Sequence, residues 1–381
     1  MIWLALFFAS AAFILYVAIG YPLVLGALAK VHARPIRKDG QPKTVSVIIA
    51  VHNGARFIRD KLDSVLALDY PPELMDILIV SDESTDQTDD IVREYAPRGV
   101  QLMRVPKGGK PAALNAAIPR VTGEILFLTD VRQTLEPASL RRLVACFGDP
   151  EVGVTSGELL IRKGESQDAS DVGLYWRYES WIRNRLSRID SMFGSTGPFY
   201  TMRRELAVEM PPDILLDDMY LPMAAFFRGY RLVVEDSARA YDYPTTRDTE
   251  FRRKVRTLAG NYQMIRLFPR LLGPRNRMCF HYLSYKVGRL LMPYALLVLA
   301  LASFFLPAPW ALIAVCAQVL FYLLAAADPL VPQGFALKRL TSPVNTFVTM
   351  MIAAVRAVSV FFVPPRSLWK VTNDVAVPRS R

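Results

Sequence analysis

The chain has 381 residues, a formal net charge of +11 and 52% hydrophobic residues. This length is too great for one small module, and this apolar content excludes an intrinsically disordered or collagen-like chain. The basic residues cluster beside apolar segments, which predicts contact with membrane lipids and no nucleic acid partner. Neither a disulfide framework nor a zinc site is predicted, since the cysteines are far apart in sequence, at Cys146, Cys279 and Cys316.

Residues 1–38 are predicted to hold a membrane-spanning helix and its basic flank. The run Ile2–Leu28 is free of Asp, Glu, Lys and Arg and would form a helix of roughly 40 Å, longer than the hydrocarbon core of a bilayer. A cleaved signal peptide is the alternative, but no basic stretch precedes the run and no A-x-A site follows it. The basic residues all come after it, at Lys30, Arg34, Arg37 and Lys38. The positive-inside rule therefore places the next domain in the cytosol.

Short apolar runs alternate with polar helical stretches across residues 39–250, which predicts a globular α/β domain. Buried strands are expected at Val45–Val51, Ile77–Val80, Gln101–Val105 and Ile125–Leu128. Helices are expected between them, at about 55–68, 88–95 and 111–118. This alternation predicts a mostly parallel sheet with right-handed crossovers. Ligands of such sheets bind beyond the carboxyl ends of the strands, where Asp82, Asp86 and Asp130 fall.

Two loops expected at that edge carry groups suited to a nucleotide. The segment Val80-Ser-Asp-Glu-Ser-Thr-Asp86 could accept hydrogen bonds from a base and ribose, or could form an Asx turn that caps the next helix. The segment Lys107-Gly-Gly-Lys110 precedes a helix, which suits a diphosphate, although a solvated basic turn has the same composition. It is not a P-loop, because no Gly-Lys-Ser/Thr ending is present.

Later acidic residues suit metal binding and proton transfer. Asp130, in Thr129-Asp-Val-Arg132, could hold Mg²⁺ or Mn²⁺ against phosphate oxygens. Asp217 and Asp218 follow an apolar run, and adjacent carboxylates raise each other's proton affinity, which suits a general base. The alternative for this pair is a helix cap that interacts with the helix dipole.

Residues 251–289 are predicted to form amphipathic helices at the membrane interface. Apolar side chains recur at helical spacing, at Phe251, Val255, Leu258, Tyr262 and Ile265. Arg252, Arg253 and Arg256 lie elsewhere around the same helix. Such a helix would lie on the cytosolic membrane surface, where its basic residues could neutralise lipid headgroups, a departing nucleotide diphosphate, or both.

Residues 290–327 are predicted to form a transmembrane hairpin. They carry no charge, and one helix of this length would be roughly 57 Å long, too long for one span. Pro307-Ala-Pro309 divides them into two halves. A third membrane segment is expected within 328–381, at about 344–363, and it contains Arg356. As a span it would put a basic tail outside, against the positive-inside rule, so a span and an interfacial or re-entrant segment both remain open.

In their order along the chain, these motifs resemble a membrane-embedded family-2 glycosyltransferase, similar to the synthases of cellulose, hyaluronan and chitooligosaccharides. The motifs are Val-Ser-Val-Ile-Ile-Ala-Val-His-Asn, Ser-Asp-Glu-Ser-Thr-Asp, Gly-Lys-Pro-Ala-Ala-Leu-Asn, Thr-Asp-Val-Arg, Gly-Ser-Thr-Gly-Pro-Phe-Tyr (194–200), Asp-Asp and Arg-Arg-Lys-Val-Arg-Thr. The resemblance implies a Rossmann-like GT-A fold with a mostly parallel sheet. It also implies inverting transfer from a nucleotide-diphosphate sugar, usually a UDP-sugar.

The resemblance assigns the donor site residue by residue. Asp82 matches the acid that holds the nucleobase, and Lys110 matches the lysine of the donor site. Asp130 matches the first Asp of the DxD motif, which binds Mg²⁺ or Mn²⁺. Arg253 and Arg256 occupy the first and fourth positions of the QxxRW motif, which holds the diphosphate and the acceptor terminus.

The resemblance also assigns the base and the acceptor site. Asp218 matches the last acid of the TED motif, the catalytic base. The segment 194–200 matches the acceptor-lining segment, where Ser195 and Gly197 would let a sugar approach the backbone. Asp217 is expected to contact the acceptor as well.

Three motifs depart from the family pattern. Arg132 stands where the second Asp of DxD is expected, so either the arginine replaces the charge of a metal or Asp130 and the diphosphate hold the metal alone. Arg253 and Thr257 replace the Gln and Trp of QxxRW, which removes an aromatic platform and argues against processive synthesis. Glu83 replaces a turn glycine, which predicts a turn without a positive φ there.

The sequence thus predicts a multi-pass inner or plasma membrane protein with α-helical transmembrane segments and a cytosolic catalytic domain. Its expected partners are a nucleotide-sugar donor, membrane lipids, and a glycan or polyprenyl- or other lipid-linked acceptor in exopolysaccharide or cell-envelope glycan synthesis. A polysaccharide channel would require a homo-oligomer or a synthase-complex partner, because so few spans form only a small conduit. The alternative is a catalytically degenerate homologue that serves as a scaffold subunit of a polysaccharide synthase.

Overall fold

The computed structural model describes residues 1–161, 169–243, 246–332 and 334–368. These residues form two compact units. The sheet unit comprises the described residues of 32–163 and 183–244, and the helical unit comprises those of 1–31, 164–182 and 245–381. The basic tail residues Lys370, Arg379 and Arg381 lie outside the described residues.

The sheet unit is built on an eight-stranded sheet in the order β3-β2-β1-β4-β7-β6-β8-β5. Its strands are β1 (Val45–Val51), β2 (Met75–Asp82), β3 (Val100–Val105), β4 (Ile125–Thr129), β5 (Thr134–Leu135), β6 (Val152–Ile161), β7 (Phe199–Arg203) and β8 (Arg231–Asp242). β1 pairs in parallel with β2 and β4, and β2 pairs in parallel with β3. β7 is antiparallel to both of its neighbours, β4 and β6, whereas β6 and β8 are parallel. The sheet is therefore mixed but mostly parallel, as predicted.

The four predicted strands are confirmed, because each coincides with one of β1 to β4. β1 is so apolar because both faces of a parallel strand are covered, and Val45, Val47, Ile48 and Ile49 are completely buried. β2 extends two residues beyond the predicted end, so Asp82 is its last residue rather than a loop residue. The carboxyl ends of β2 and β4 lie at the same edge of the sheet, on either side of β1.

The helices alternate with these strands in the first half of the sheet unit and dominate the helical unit. They are α1 (Ile2–Leu15), α2 (Tyr21–Val31), α3 (Ala55–Leu66), α4 (Thr88–Glu94), α5 (Lys110–Ala117), α6 (Ser139–Ala145), α7 (Ala169–Ile189), α8 (Asp217–Phe226), α9 (Arg247–Leu267), α10 (Cys279–Tyr282), α11 (Gly288–Ser303), α12 (Trp310–Ala327) and α13 (Lys338–Ala357). The helices α3, α4 and α5 match the three predicted ones to within a few residues.

Within the described residues, four helical stretches are long and apolar enough to cross a membrane. They are Ile2–Val31, Cys279–Ser303, Trp310–Leu330 and Lys338–Phe361. A π-helical turn at Tyr16–Gly20 joins α1 to α2, and another at Leu283–Val287 joins α10 to α11. The chain leaves α11 after Ser303 and enters α12 at Trp310, on either side of the predicted proline break.

Charged groups of the helical unit form contacts within that unit. Glu179 of α7 accepts hydrogen bonds from Arg289, at 2.9 Å, and from the Tyr285 hydroxyl. Burial raises the pKa of Glu179, but Arg289, Lys286 and the hydrogen bond from Tyr285 together lower it to about 2. Arg356, the charged residue of the last apolar segment, lies over the ring of Phe251 on α9 at 5.4 Å.

Candidate active site

Asp82 joins the two loops that were predicted to bind a nucleotide. It is buried at the end of β2. Its Oδ1 accepts the N–H of Gly108 at 2.7 Å, and its Oδ2 accepts the N–H of Gly109 at 3.0 Å. Gly109 has a φ of +83°, which glycine adopts at little cost, and Lys110 follows it as the first residue of α5. The Asp82 carboxylate therefore fixes the backbone from which the Lys110 side chain projects.

The turn after β2 does not follow the sequence prediction. Glu83 has a φ of +51°, so the expectation of a turn without a positive φ is wrong. Asn53 has the same φ, and hydrogen bonds join the two strained loops: the Asn53 N–H donates to Ser84 Oγ, and the Thr85 N–H donates to Asn53 Oδ1. These bonds offset the cost of the left-handed backbone, so a glycine is not required at position 83.

Asp86 caps helices. Its Oδ2 accepts the N–H of Ala55 at 3.0 Å, at the start of α3, and its Oδ1 accepts the N–H of Thr88 at 3.0 Å, at the start of α4. Burial raises the pKa of Asp86, but the hydrogen bonds from Thr88 and Ala55 lower it further, and the net pKa is below its ordinary value. For this acid the structure supports the Asx-turn interpretation.

Lys110 links two of the predicted site acids. Its Nζ lies 2.8 Å from Asp130 Oδ1 and 2.9 Å from Asp217 Oδ2. Asp130 directly follows β4, and Asp217 begins α8. The amine of Lys110, the first residue of α5, therefore connects the end of a strand with the N-terminus of another helix. The two acids lie 87 positions apart in sequence. The structure thus brings Asp130 and Asp217, two of the predicted site residues, to one amine.

Lys110 and Asp130 favour each other's charged form. Burial lowers the pKa of Lys110, but Asp130 and Asp217 raise it more strongly, and the net pKa is above its usual value. Burial raises the pKa of Asp130, but Lys110, then Lys61 and Arg132, lower it to below its usual value. The cluster thus holds a positive charge between two carboxylates, an arrangement that an anionic ligand could enter by attracting the lysine.

Lys61 is a component of this region that sequence reasoning missed. It is completely buried on α3, and its Nζ donates to Thr129 Oγ1 at 2.6 Å and to the main-chain oxygen of Gln133 at 2.8 Å. Burial lowers its pKa to about 7, although the charge of Asp130 opposes this shift. One signal was available, since Lys61 lies at helical spacing from Ile58 and beside Leu62 on the apolar face of α3.

Arg132, in the position of the second DxD acid, is engaged elsewhere. It forms an ion pair with Asp242 at the end of β8, and the Gln133 amide donates to the same carboxylate at 3.0 Å. Its side chain is only 11% exposed. The guanidinium lowers the pKa of Asp130, but its direct partner is Asp242. Of the two interpretations of this substitution, the geometry favours the one in which Arg132 does not replace a metal ion.

Asp218 is held in place by the segment 194–197. The N–H and the hydroxyl of Ser195 both donate to the main-chain oxygen of Asp218, at 2.7 and 2.9 Å. A Cβ atom on Gly197 would lie only 2.6 Å from Asp218 Oδ2, so the glycine leaves room for the carboxylate. The segment predicted to line the acceptor site thus also fixes the predicted base.

Arg253 and Arg256 lie in the helical unit, one turn apart on α9. Arg253 Nη1 pairs with Glu250 Oε1 at 3.2 Å on the same helix. The structure brings Asp82, Lys110, Asp130, Asp217 and Asp218 together within the sheet unit. The roles of the two arginines stay predictions.

The acids fit a divalent cation only when a ligand completes its coordination. The described residues contain no group of three or more His, Cys, Asp or Glu side chains that could hold a metal ion. Asp130 offers one carboxylate, whose Oδ1 is already paired with Lys110. Mg²⁺ is often bound through one or two carboxylates plus substrate phosphates, and this donor set suits such a shared site.

Part of the chain matches the model of a known family. Residues 46–210 match the model described as glycosyl transferase family 2. This match covers less than half of the chain. The matched range contains Asp82, Lys110 and Asp130, and it ends shortly before Asp217 and Asp218.

The curated relatives that this chain matches are distant and longer. The probable glycosyltransferase YdaM of Bacillus subtilis is 24% identical over 240 residues, which cover 59% of this chain and 56% of YdaM. The beta-monoglucosyldiacylglycerol synthase of Synechocystis is 31% identical over 130 residues, which cover 33% of this chain and 26% of the synthase. The chain therefore spans little more than half of the first relative and about a quarter of the second.

A solved structure confirms the fold. The mannosyltransferase PcManGT of Pyrobaculum calidifontis, in complex with GDP-Man and Mn²⁺, superposes with a TM-score of 0.69. The match covers 92% of this chain and 99% of PcManGT at 23% identity. The predicted GT-A fold, a mostly parallel Rossmann-like sheet, is thereby confirmed.

Proposed function

We propose that this protein is a glycosyltransferase that moves a hexosyl group, with inversion, from a nucleotide-diphosphate sugar to an acceptor at the cytosolic face of a membrane. The observation that carries the proposal is the ion cluster in which Lys110 joins Asp130 and Asp217, directly beside Asp218. The match of residues 46–210 to the glycosyl transferase family 2 model supports the proposal, because this cluster has the charged groups that donor binding and proton transfer require.

The donor diphosphate would be bound through Lys110. Its amine is charged and lies at the N-terminus of α5, where both the lysine and the helix dipole attract anions. Asp82 would hold the nucleobase. Its carboxylate also accepts the N–H groups of Gly108 and Gly109. The same carboxylate would therefore bind the nucleobase and fix the backbone that precedes Lys110. The name of PcManGT, with its bound GDP-Man, supports a nucleotide-sugar donor.

The chemical step would be a single in-line displacement. Asp218 accepts the proton of an acceptor hydroxyl while that oxygen forms a bond to the anomeric carbon. The bond between the anomeric carbon and the diphosphate oxygen breaks on the opposite face, and the nucleoside diphosphate leaves with the electron pair. Lys110 stabilises the charge that develops on the leaving group. Asp218 then loses the proton to solvent.

Asp130 would hold Mg²⁺ or Mn²⁺ together with the donor phosphates, and the ion would add positive charge at the leaving group. Lys110 is paired with only one oxygen of Asp130, and a negative diphosphate would attract the amine away from it. Arg132 is paired with Asp242 and is not assigned a role in this step.

The acceptor would be either a growing glycan or a lipid-linked molecule beside the membrane. The four apolar helical stretches of the described chain support a location at the membrane. The name of the Synechocystis relative refers to a glucosylated diacylglycerol, which supports a lipid acceptor. Arg253 and Arg256 on α9 would contact the diphosphate or the acceptor terminus.

The test is nucleotide release by the full chain in lipid nanodiscs, with a panel of UDP- and GDP-sugars and a membrane lipid extract as acceptor. Each donor is assayed with Mg²⁺, with Mn²⁺ and with a chelator. We expect release from one donor, and loss of release in chelator. No release from any donor would contradict the proposal and favour a scaffold subunit, whereas full release in chelator would remove the metal role of Asp130.

A further inference from the structure

Tyr200, at the end of the acceptor segment, carries a hydroxyl with no role in the resting site. The side chain is completely buried on β7. Within the described part of the chain, no hydrogen-bond partner is found for its Oη. An unsatisfied buried hydroxyl destabilises the folded state, and a phenylalanine would fill the same space without that cost.

Tyr200 lies on the strand beside the one that leads to Asp130. In the antiparallel ladder Tyr200 is opposite Leu128 of β4, two residues before Asp130, and the Asp130 N–H continues the ladder by donating to the main-chain oxygen of Pro198 at 2.9 Å. The electrostatics agree with this placement. Burial raises the pKa of the Tyr200 phenol, and Asp217, followed by Asp218 and Asp130, raises it further. The phenol is therefore protonated and can donate a hydrogen bond.

Asp217 is the acid that will need such a donor. It is buried, and its Oδ2 lies 2.9 Å from Lys110 in the resting protein. If Lys110 turns to the donor diphosphate, as the proposed function requires, Asp217 loses its cation. A buried carboxylate without a partner is unfavourable, so a second hydrogen-bond donor must replace the amine or the lysine will not leave.

We propose that Tyr200 is a positioning residue whose hydroxyl donates to Asp217 when Lys110 moves to the donor diphosphate. This rests on the proposed function and adds a residue to it. Asp217 precedes Asp218 in the first turn of α8, so a hydrogen bond that holds Asp217 also keeps the base in place. The orphaned hydroxyl of the resting state is thus satisfied in the donor-bound state.

The test compares Tyr200→Phe with Tyr70→Phe. Tyr70 is also buried, but its hydroxyl is satisfied, since it donates to the main-chain oxygen of Lys43 at 2.7 Å and accepts the N–H of Lys43 at 2.8 Å. For each variant in nanodiscs we would measure the thermal unfolding midpoint, the Kd for UDP and GDP, and the kcat of sugar transfer.

For Tyr200→Phe we expect an unchanged or higher unfolding midpoint, a Kd raised several-fold and a kcat reduced about 10-fold. For Tyr70→Phe we expect a lower midpoint and normal transfer. In a Lys110→Met background, Tyr200→Phe should have a much smaller effect on Kd, because the lysine that must be replaced is absent.

A lower midpoint with unchanged kcat would show that the Tyr200 hydroxyl is structural and would overturn the proposal. Unchanged values of all three quantities would overturn it as well. The experiment separates this proposal from the proposed function. If the proposed function is wrong, the wild-type protein transfers no sugar. If only the role of Tyr200 is wrong, wild type and Tyr200→Phe transfer sugar equally well.

Discussion

At Gly197 the backbone lies so close to Asp218 that a methyl group would displace the carboxylate. We expect Gly197→Ala to fold with a nearly unchanged unfolding midpoint, because the atom in the way is at the end of a side chain that can rotate. Transfer should decrease about 100-fold, since a displaced base no longer meets the acceptor hydroxyl. Gly40→Ala is the control, because its Cβ would meet no atom within 4 Å. Normal turnover of Gly197→Ala would contradict the placement of Asp218.

Lys110 should contribute stability that depends on pH. Lys110→Met removes the cation between two acids, which costs about 3–5 kcal/mol at neutral pH. Because the folded-state pKa of Asp130 is lowered, the contribution is complete above its unfolded pKa of about 3.9 and is lost as the pH falls through the folded value. The difference in unfolding midpoint between wild type and variant should therefore narrow from pH 7 to pH 3.

The control for Lys110→Met is Lys43→Met, which removes a more exposed ion pair with Glu124. This pair should contribute no more than about 1 kcal/mol. A Lys110→Met variant that is no less stable than Lys43→Met at pH 7 would show that the cluster around Lys110 is not formed in solution.

At the scale of elements, Lys61 attaches α3 to the end of β4 and should give the protein a stability that increases with pH. Its pKa is about 7 in the folded state and about 10.4 when unfolded. Between these values the unfolded chain binds more protons, so a rise in pH stabilises the folded state, by at most about 1.4 kcal/mol per pH unit. Denaturation at pH 7, 8 and 9 should show this slope in wild type and not in Lys61→Met. If the stability of wild type and of Lys61→Met changed equally between pH 7 and pH 9, this result would contradict a neutral Lys61 in the folded protein.

The strands and helices of the sheet unit show which elements can be predicted from sequence and which cannot. β1, β2, β4 and α3 follow from apolar runs and helical spacing, because burial of a strand or helix face leaves a local pattern. β6 and β8 contain polar residues such as Glu158 and Asp236, which interrupt that pattern, and they were not predicted. The acids of the candidate site could be identified from sequence because they stand in motifs of recognisable residue types.

The contacts of those acids were not predictable from sequence, because they join distant positions. The bond from Lys61 to Thr129 crosses 68 positions, and the pair of Arg132 and Asp242 crosses 110. No local pattern encodes such pairs. The hydroxyl of Tyr200 was missed for the same reason, since its importance depends on acids contributed by α8 and β4.

For the whole molecule, the proposed membrane topology places the sheet unit in the cytosol. It places the turn between α11 and α12 on the opposite side of the membrane. Single cysteines at Thr85 and Ala308, in a variant without Cys146, Cys279 and Cys316, test this with a membrane-impermeant thiol reagent. In intact cells Ala308→Cys should be labelled and Thr85→Cys should not, and inverted vesicles should reverse the result. Labelling of Thr85→Cys in intact cells would refute the cytosolic placement.

The central claim is that Asp218 is the base of an inverting transfer, and the most direct measurement combines turnover with product stereochemistry. With the donor identified from the panel, sugar transfer by wild type, Asp218→Asn and Asp90→Asn is followed in nanodiscs, and NMR gives the anomeric configuration of the product. The account predicts inversion, a loss of roughly 10²–10⁴-fold in Asp218→Asn, and normal turnover in Asp90→Asn, whose carboxylate is exposed. Retention of configuration, or wild-type turnover by Asp218→Asn, would contradict it.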